Sequence, residues 1–179
     1  MVKAILVTGP EGSGTRLLTR LVIECGYAGD AGHVQRWDDL NFPPAKHPIV
    51  FRRSLPHGGS WPDLDDILGR WMALGYEPLV LATAREPVAL ARSQVAAGHV
   101  SSEDEARRHI YAAYAAVGEL FCSGWNVVLM PYEGLVVGHK HLGEIFRNLG
   151  ICERYNIENI YNGNEKHYHT QKGGRYAGE

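Results

Sequence analysis

Val7-Thr8-Gly9-Pro10-Glu11-Gly12-Ser13-Gly14-Thr15-Arg16-Leu17-Leu18 follows the apolar run Ala4-Ile5-Leu6-Val7 and leads into apolar residues at helical spacing, Leu17, Leu18, Leu21 and Val22. The order is strand, glycine-rich loop, helix start. Such a junction attracts anions. Glycines at 9, 12 and 14 let the backbone curl with its N–H groups turned inward, and the positive end of the following helix adds to the attraction for a phosphate or sulfate. An ordinary glycine-rich turn is the plainer reading, and three glycines between a strand and a helix weigh against it.

Gly9 and Gly14 have the spacing of a nucleotide-binding P-loop, G-x-x-x-x-G-K-[ST], but Thr15 stands where that pattern has lysine and Arg16 where it has the magnesium-binding hydroxyl. The loop is therefore poorly equipped for metal-assisted γ-phosphoryl transfer. Outward from it, the spacing predicts a helix over Thr15 to Cys25 ended by Gly26, and an irregular surface connection over Asp30 to His47 with at most one helical turn. A second strand is expected at Ile49 to Arg53, a helix over Asp63 to Leu74, and a buried strand over Pro78 to Ala84. Pro87 suits the first turn of the next helix, Ser101-Ser102-Glu103-Asp104-Glu105 reads as a capped start of one reaching about Cys122, Val127 to Met130 is a fourth strand, and Leu135 to Leu149 a last helix. Strands alternating with helices predict an α/β fold: a P-loop-type three-layer α/β/α arrangement with a mostly parallel sheet of about four to five strands. Residues 1–179 read as a single domain, with 156–179 a polar tail or cap.

The balance of 18 Lys+Arg against 20 Asp+Glu, a net charge of -2 and a pI near 6.5 give no global attraction for nucleic acid or an anionic membrane. A small partner is expected instead. No apolar run approaches the roughly 18 residues of a membrane span, and the N-terminal apolar run is too short for a signal peptide, so a cytoplasmic location is expected. Cys25, Cys122 and Cys152 are widely spaced and odd in number, which favours buried free thiols over a disulfide framework or a paired metal motif.

In an open parallel sheet, ligands bind beyond the carboxyl ends of the strands. The residues there are Gly9 to Arg16, Arg52 to Gly59, Arg85 to Ser93 and Pro131 to Leu135. Arg85, followed by Glu86-Pro87 and by Ser93 eight positions on (85 to 93), offers two donors that can converge on one phosphate. Here the sequence resembles the sulfotransferase family that uses 3′-phosphoadenosine 5′-phosphosulfate (PAPS). In that family a glycine- and hydroxyl-rich loop after the first strand holds the 5′-phosphosulfate, which Gly12-Ser13-Gly14-Thr15 resembles. An R-[DE]-P-type segment and a later serine hold the 3′-phosphate, which Arg85-Glu86-Pro87 and Ser93 resemble. Pro131-Tyr132-Glu133-Gly134-Leu135 is similar to the family's Y-E-x-L segment. The resemblance runs from about Lys3 to Ile151 in order of elements and is carried by some twenty positions.

It implies PAPS as cofactor, a small-molecule or glycan acceptor, and cofactor-binding roles for Gly12, Ser13, Gly14, Thr15, Arg16, Arg85 and Ser93. The chain departs from the family at Gly12, which stands where many members have a lysine; Arg16, in the first helical turn, is the nearest substitute for that charge. Glu11 adds a negative charge beside an anion site, unfavourable unless it points away or binds the acceptor. Gln171-Lys172-Gly173-Gly174 is a faint match to the family's late R-K-G loop. His57, just past the second strand and next to Gly58-Gly59, stands where the resemblance puts the general base, against the alternative of a structural loop histidine. Arg52 and Arg53 alternate in direction, so at most one faces the ligand. His139-Lys140-His141 and His167-Tyr168-His169 lack a carboxylate or cysteine at ligand spacing, and no metal site is expected. Asp63, Asp65 and Asp66 suit a helix cap, and Trp61 and Trp71 core or rim positions. A P-loop small-molecule kinase and a non-catalytic nucleotide-binding module remain the competing expectations.

Overall fold

Nine residues from Val2 to Pro10 form the central strand β1, because its aliphatic residues are flanked on both sides by runs of the same kind. In the computed structural model, which describes residues 1–29, 41–137 and 141–152, β1 pairs in parallel with β2 (Ile49–Leu55) and with β3 (Tyr76–Ala84). β4 (Val127–Pro131) pairs in parallel with β3, giving one four-stranded, all-parallel sheet in the order β2-β1-β3-β4. The register sets Ile5 beside Val50 and Leu79, and the strands run longer than their aliphatic cores: Val2 and Lys3 pair with Tyr76 and Glu77.

Alternation along each strand sends side chains to two cores. On one face Ala4, Leu6, Phe51 and Val80 pack against α2 (Leu64–Ala73) and α4 (Glu103–Cys122) through Leu68, Trp71 and Val117. On the other, Ile5, Val7, Val50 and Leu81 pack against α1 (Thr15–Glu24), α5 (Tyr132–Val137) and α6 (Leu142–Asn148) through Leu18, Leu135 and Phe146. This is the expected three-layer α/β/α arrangement. α3 (Pro87–Ala96) packs on α4 through Leu90, Ala91 and Ile110.

The helix starts follow the sequence. Asp63 caps α2 by accepting from the Asp66 N–H at 3.0 Å, and Ser102 caps α4 through the Glu105 N–H. The glutamate before Pro87 caps α3: both oxygens of Glu86 accept, from the Val88 and Ala89 N–H groups. Three expectations change. Where one last helix was expected from Leu135, α5 starts earlier, at Tyr132 directly after β4, and α6 starts separately after His141. Phe42, placed by the sequence in a surface connection, is buried and packs edge-on against Phe51 and Trp71 at 5.0 and 5.3 Å. Cys122 is exposed and Cys25 and Cys152 are half-buried, so none of the three is fully buried, and none is in a disulfide. Residues 30–40, His139, Lys140 and the tail from 156 onward, including His167 to His169 and Gln171 to Gly174, lie outside the described residues. Among the described residues no helix is long and apolar enough to cross a membrane.

Candidate functional site

β1 and β3 are neighbours, yet the helix that follows β1 lies on one face of the sheet and the helices that follow β3 lead to the other. Their carboxyl ends therefore open a crevice, the place where open α/β sheets bind ligands. The loop Gly9 to Gly14 sits in it. Gly9 has φ 132°, and a Cβ there would stand 2.5 Å from the Thr83 carbonyl oxygen of β3. Ser13 is fully buried: its N–H donates to the Pro10 carbonyl at 3.0 Å, and its hydroxyl lies 2.6 Å from that carbonyl and 2.5 Å from Thr83 Oγ1. Ser13 thus shapes the loop from beneath, its hydroxyl committed to protein partners.

The resemblance pairs Arg85 with Ser93, and the structure brings them together. Arg85 Nη1 lies 3.5 Å from Ser93 Oγ and donates to the Gly12 carbonyl at 2.7 Å. The guanidinium is buried and stacks 4.7 Å from the centroid of the Tyr132 ring. Tyr132 also floors the loop, since a Cβ on Gly14 would meet its Cδ2 at 2.6 Å. Glu133 Oε1 accepts from the Glu86 N–H at 2.9 Å. The three segments that carry the resemblance therefore form one packed unit, with Arg85 as a pin between the loop and β3.

A cavity of about 540 Å³ opens above this unit. Glu11, Gly12, Gly14, Thr15 and Arg16 line it from the loop and α1, Arg52, Ser54, His57 and Gly58 from the end of β2, and Ser93, Ala97 and His99 from α3 and the turn after it. Among the described residues no side chain caps the N-terminus of α1, whose cap residue Gly14 is left-handed with φ 102°. Its first-turn N–H groups are the orphans of any helix start and add positive potential at the cavity wall. Arg16 and Arg52 stand in the same wall and outnumber the one carboxylate there, Glu11, so the wall favours an anion. Of the two adjacent arginines Arg52 faces this cavity, whereas Arg53 lies 4.1 Å above the Phe51 ring on the opposite face.

Ser54 Oγ and His57 Nδ1 share a hydrogen bond at 3.1 Å, and the His57 backbone pairs with Ser60 in both directions. The imidazole is thereby held at the cavity edge, and it also borders a second hollow of about 260 Å³ lined by Arg53, Ser60 and Asp66. Glu11 is neither turned away nor idle. Its Oε1 accepts from the Gly58 N–H at 3.2 Å, which ties the loop to the β2 end, and its Oε2 lies 3.6 Å from His99 Nδ1 in the turn after α3. Gln94, buried on α3, holds the Glu11 carbonyl at 2.7 Å. His99 and Gln94 escaped the sequence reading because neither follows a strand; the Gly98 turn, in which the His99 N–H bonds the Gln94 carbonyl, brings His99 round. Among the described residues no group of three or more His, Cys, Asp or Glu could hold a metal ion. No protein-family model matches this chain, and no curated protein matches it by sequence.

Proposed function

We propose that the protein is a PAPS-dependent sulfotransferase, which passes a sulfuryl group from 3′-phosphoadenosine 5′-phosphosulfate to a hydroxyl or amine of a small-molecule or glycan acceptor. The observation that carries the reading is the uncapped α1 N-terminus, set with Arg16 and Arg52 in one cavity beside a histidine oriented by Ser54. The residues present fit the donor. The backbone of Gly12, Gly14 and Thr15 together with Arg16 would hold the phosphosulfate, and Ser93, backed by Arg85, the 3′-phosphate. The bound donor would supply the sulfuryl group itself.

The chain's own residues do the rest. The loop N–H groups and Arg16 stabilise negative charge on the phosphate side, where it grows as sulfate leaves, and Arg16 takes over work that a loop lysine does in the resembled family. His57 accepts the acceptor's proton on its imidazole, with Ser54 fixing the ring. Two competing readings keep support in the sequence: a small-molecule kinase, from the glycine spacing, and a non-catalytic nucleotide-binding module, from Gly12 at the lysine position.

A thermal-shift comparison separates them. Saturating adenosine 3′,5′-bisphosphate is expected to raise Tm by roughly 5–10 °C, the shift for about a hundredfold excess over Kd in a chain of this size, while ATP with magnesium does much less. The reverse order supports the kinase, and bisphosphate binding without turnover of any acceptor supports the module. Arg85→Ala is expected to weaken bisphosphate binding about ten- to a hundredfold, because a charged hydrogen bond of roughly 1.5 to 3 kcal/mol no longer holds the loop. Calorimetry checks this; an unchanged affinity removes Arg85 from the site.

A further inference from the structure

A carboxylate in a wall that favours anions weakens the binding of an anion there, and the contacts of Glu11 show what it contributes instead. Its backbone is fixed from α3, where the buried Gln94 donates to the Glu11 carbonyl at 2.7 Å. Its side chain, 14% exposed, reaches the turn after β2 and accepts from the Gly58 N–H at 3.2 Å. The ladder between β1 and β2 ends with Pro10 beside Leu55. Glu11 follows Pro10 directly, so its bond to Gly58 carries the link between the two strands beyond the sheet.

The turn from Ser54 to Ser60 is shaped from within. His57 and Ser60 exchange backbone bonds at 2.7 and 3.1 Å, Ser60 Oγ donates to the His57 carbonyl at 2.8 Å, and Ser54 Oγ meets His57 Nδ1 at 3.1 Å. Ser54, in register with Gly9, anchors the turn where it leaves the sheet. Its tip is built differently. Gly58 and Gly59 are exposed and left-handed, with φ 56° and 83°, and an added Cβ at either would meet nothing within 4 Å, so close packing does not wedge them in place. We infer that Glu11 is a positioning residue for His57: its carboxylate grips the tip of the turn one residue from the imidazole and holds the histidine at a fixed place against the glycine loop. A hydrogen bond to a carboxylate is roughly twice as strong as one between neutral groups, which suits a second anchor on an exposed turn. The catalytic meaning of the tie rests on the proposed sulfuryl transfer; the tie itself does not.

The test compares Glu11→Ala with Glu11→Gln in the full chain. Both remove the charge, and glutamine alone keeps a side-chain oxygen that can accept from the Gly58 N–H, so the difference between the two variants reads the hydrogen bond. In Glu11→Ala, amide exchange at Gly58 should quicken at least about tenfold, and the His57 ring resonance should broaden or split. Exchange at core amides such as Leu18 and Val80 should stay as in the wild type, which separates local release from general unfolding. With PAPS and a panel of hydroxyl and amine acceptors, kcat should fall about ten- to a hundredfold, the cost of a base displaced by about an ångström. Adenosine 3′,5′-bisphosphate affinity should not fall in either variant, because both lose the repulsion. Glu11→Gln should restore the Gly58 exchange, the His57 signal and most of the turnover. A glutamine variant as impaired as the alanine one would overturn the inference and give the carboxylate charge a direct part. So would an alanine variant whose Gly58 exchange and His57 signal match the wild type. If the wild type turns over none of the acceptors, the sulfotransferase reading falls, and the exchange and resonance measurements still decide whether Glu11 holds His57.

Discussion

Replacing His57 by alanine is expected to cut turnover by roughly a hundred- to ten-thousandfold, while bisphosphate affinity changes by less than about threefold. The split follows from where the residue stands. His57 is at the cavity edge, tethered through Nδ1 to Ser54 and through its backbone to Ser60, whereas the anion wall is made by the loop, α1, Arg16 and Arg52. On the proposed function, losing the imidazole removes the proton acceptor and leaves that wall in place. The measurement is release of bisphosphate from PAPS with a panel of hydroxyl and amine acceptors, set beside calorimetric Kd values for both proteins. Near-normal turnover would take His57 out of the mechanism and make Glu11, which lines the same cavity, the next base to test.

Gly9→Ala is expected to be the most damaging single methyl group that could be added near the loop. The new Cβ would stand 2.5 Å from the Thr83 carbonyl oxygen and 2.6 Å from Thr83 Oγ1, and the backbone there has φ 132°. A rotamer change can move the hydroxyl but not the carbonyl, so β1 and β3 must part where they meet at the crevice. Overpacking together with backbone strain should destabilise by roughly 3 to 5 kcal/mol. Gly124→Ala is the matched control. Gly124 also has positive φ, 86°, but an added Cβ meets nothing within 4 Å, so the loss there should be about 1–2 kcal/mol. Urea midpoints at constant slope check the pair, and equal losses would show that the β1–β3 contact is not what requires glycine at position 9.

How far the sequence could be read depended on whether a residue's partner was local. Strands and capped helices were legible because their signals are local. Ile49-Val50-Phe51 and Leu79-Val80-Leu81 are aliphatic or aromatic runs, Asp63 and Ser102 cap within three residues, and Pro87 sits in a first turn. Strand ends were underestimated because Val2-Lys3 and Tyr76-Glu77 hold each other across the sheet, a pairing invisible within either segment. Phe42 gave no periodic signal, being a lone aromatic among prolines, and is buried by Phe51 and Trp71 from other elements. At the candidate site, the spacing of Arg85 and Ser93 was readable and their proximity followed. That the guanidinium donates to Gly12, that Ser13 is buried and that Glu11 reaches Gly58 all depend on where β2, β3 and α3 bring their ends.

Tyr132, the floor beneath Gly14 and Arg85, has a consequence for how the chain is made. During synthesis the glycine loop emerges first, both strands that flank β1 come later, and the tyrosine arrives after β4, more than a hundred residues behind the loop (14 to 132). Until then the loop glycines have nothing under them and Arg85 has no ring to lie on. Domains are completed as units during translation, and a ligand that binds the finished form stabilises only that form. On the proposed function, a nucleotide donor in the surrounding solution would pass over every incomplete nascent chain and clasp the finished one, acting as an inspector of the last folding step as well as a reactant.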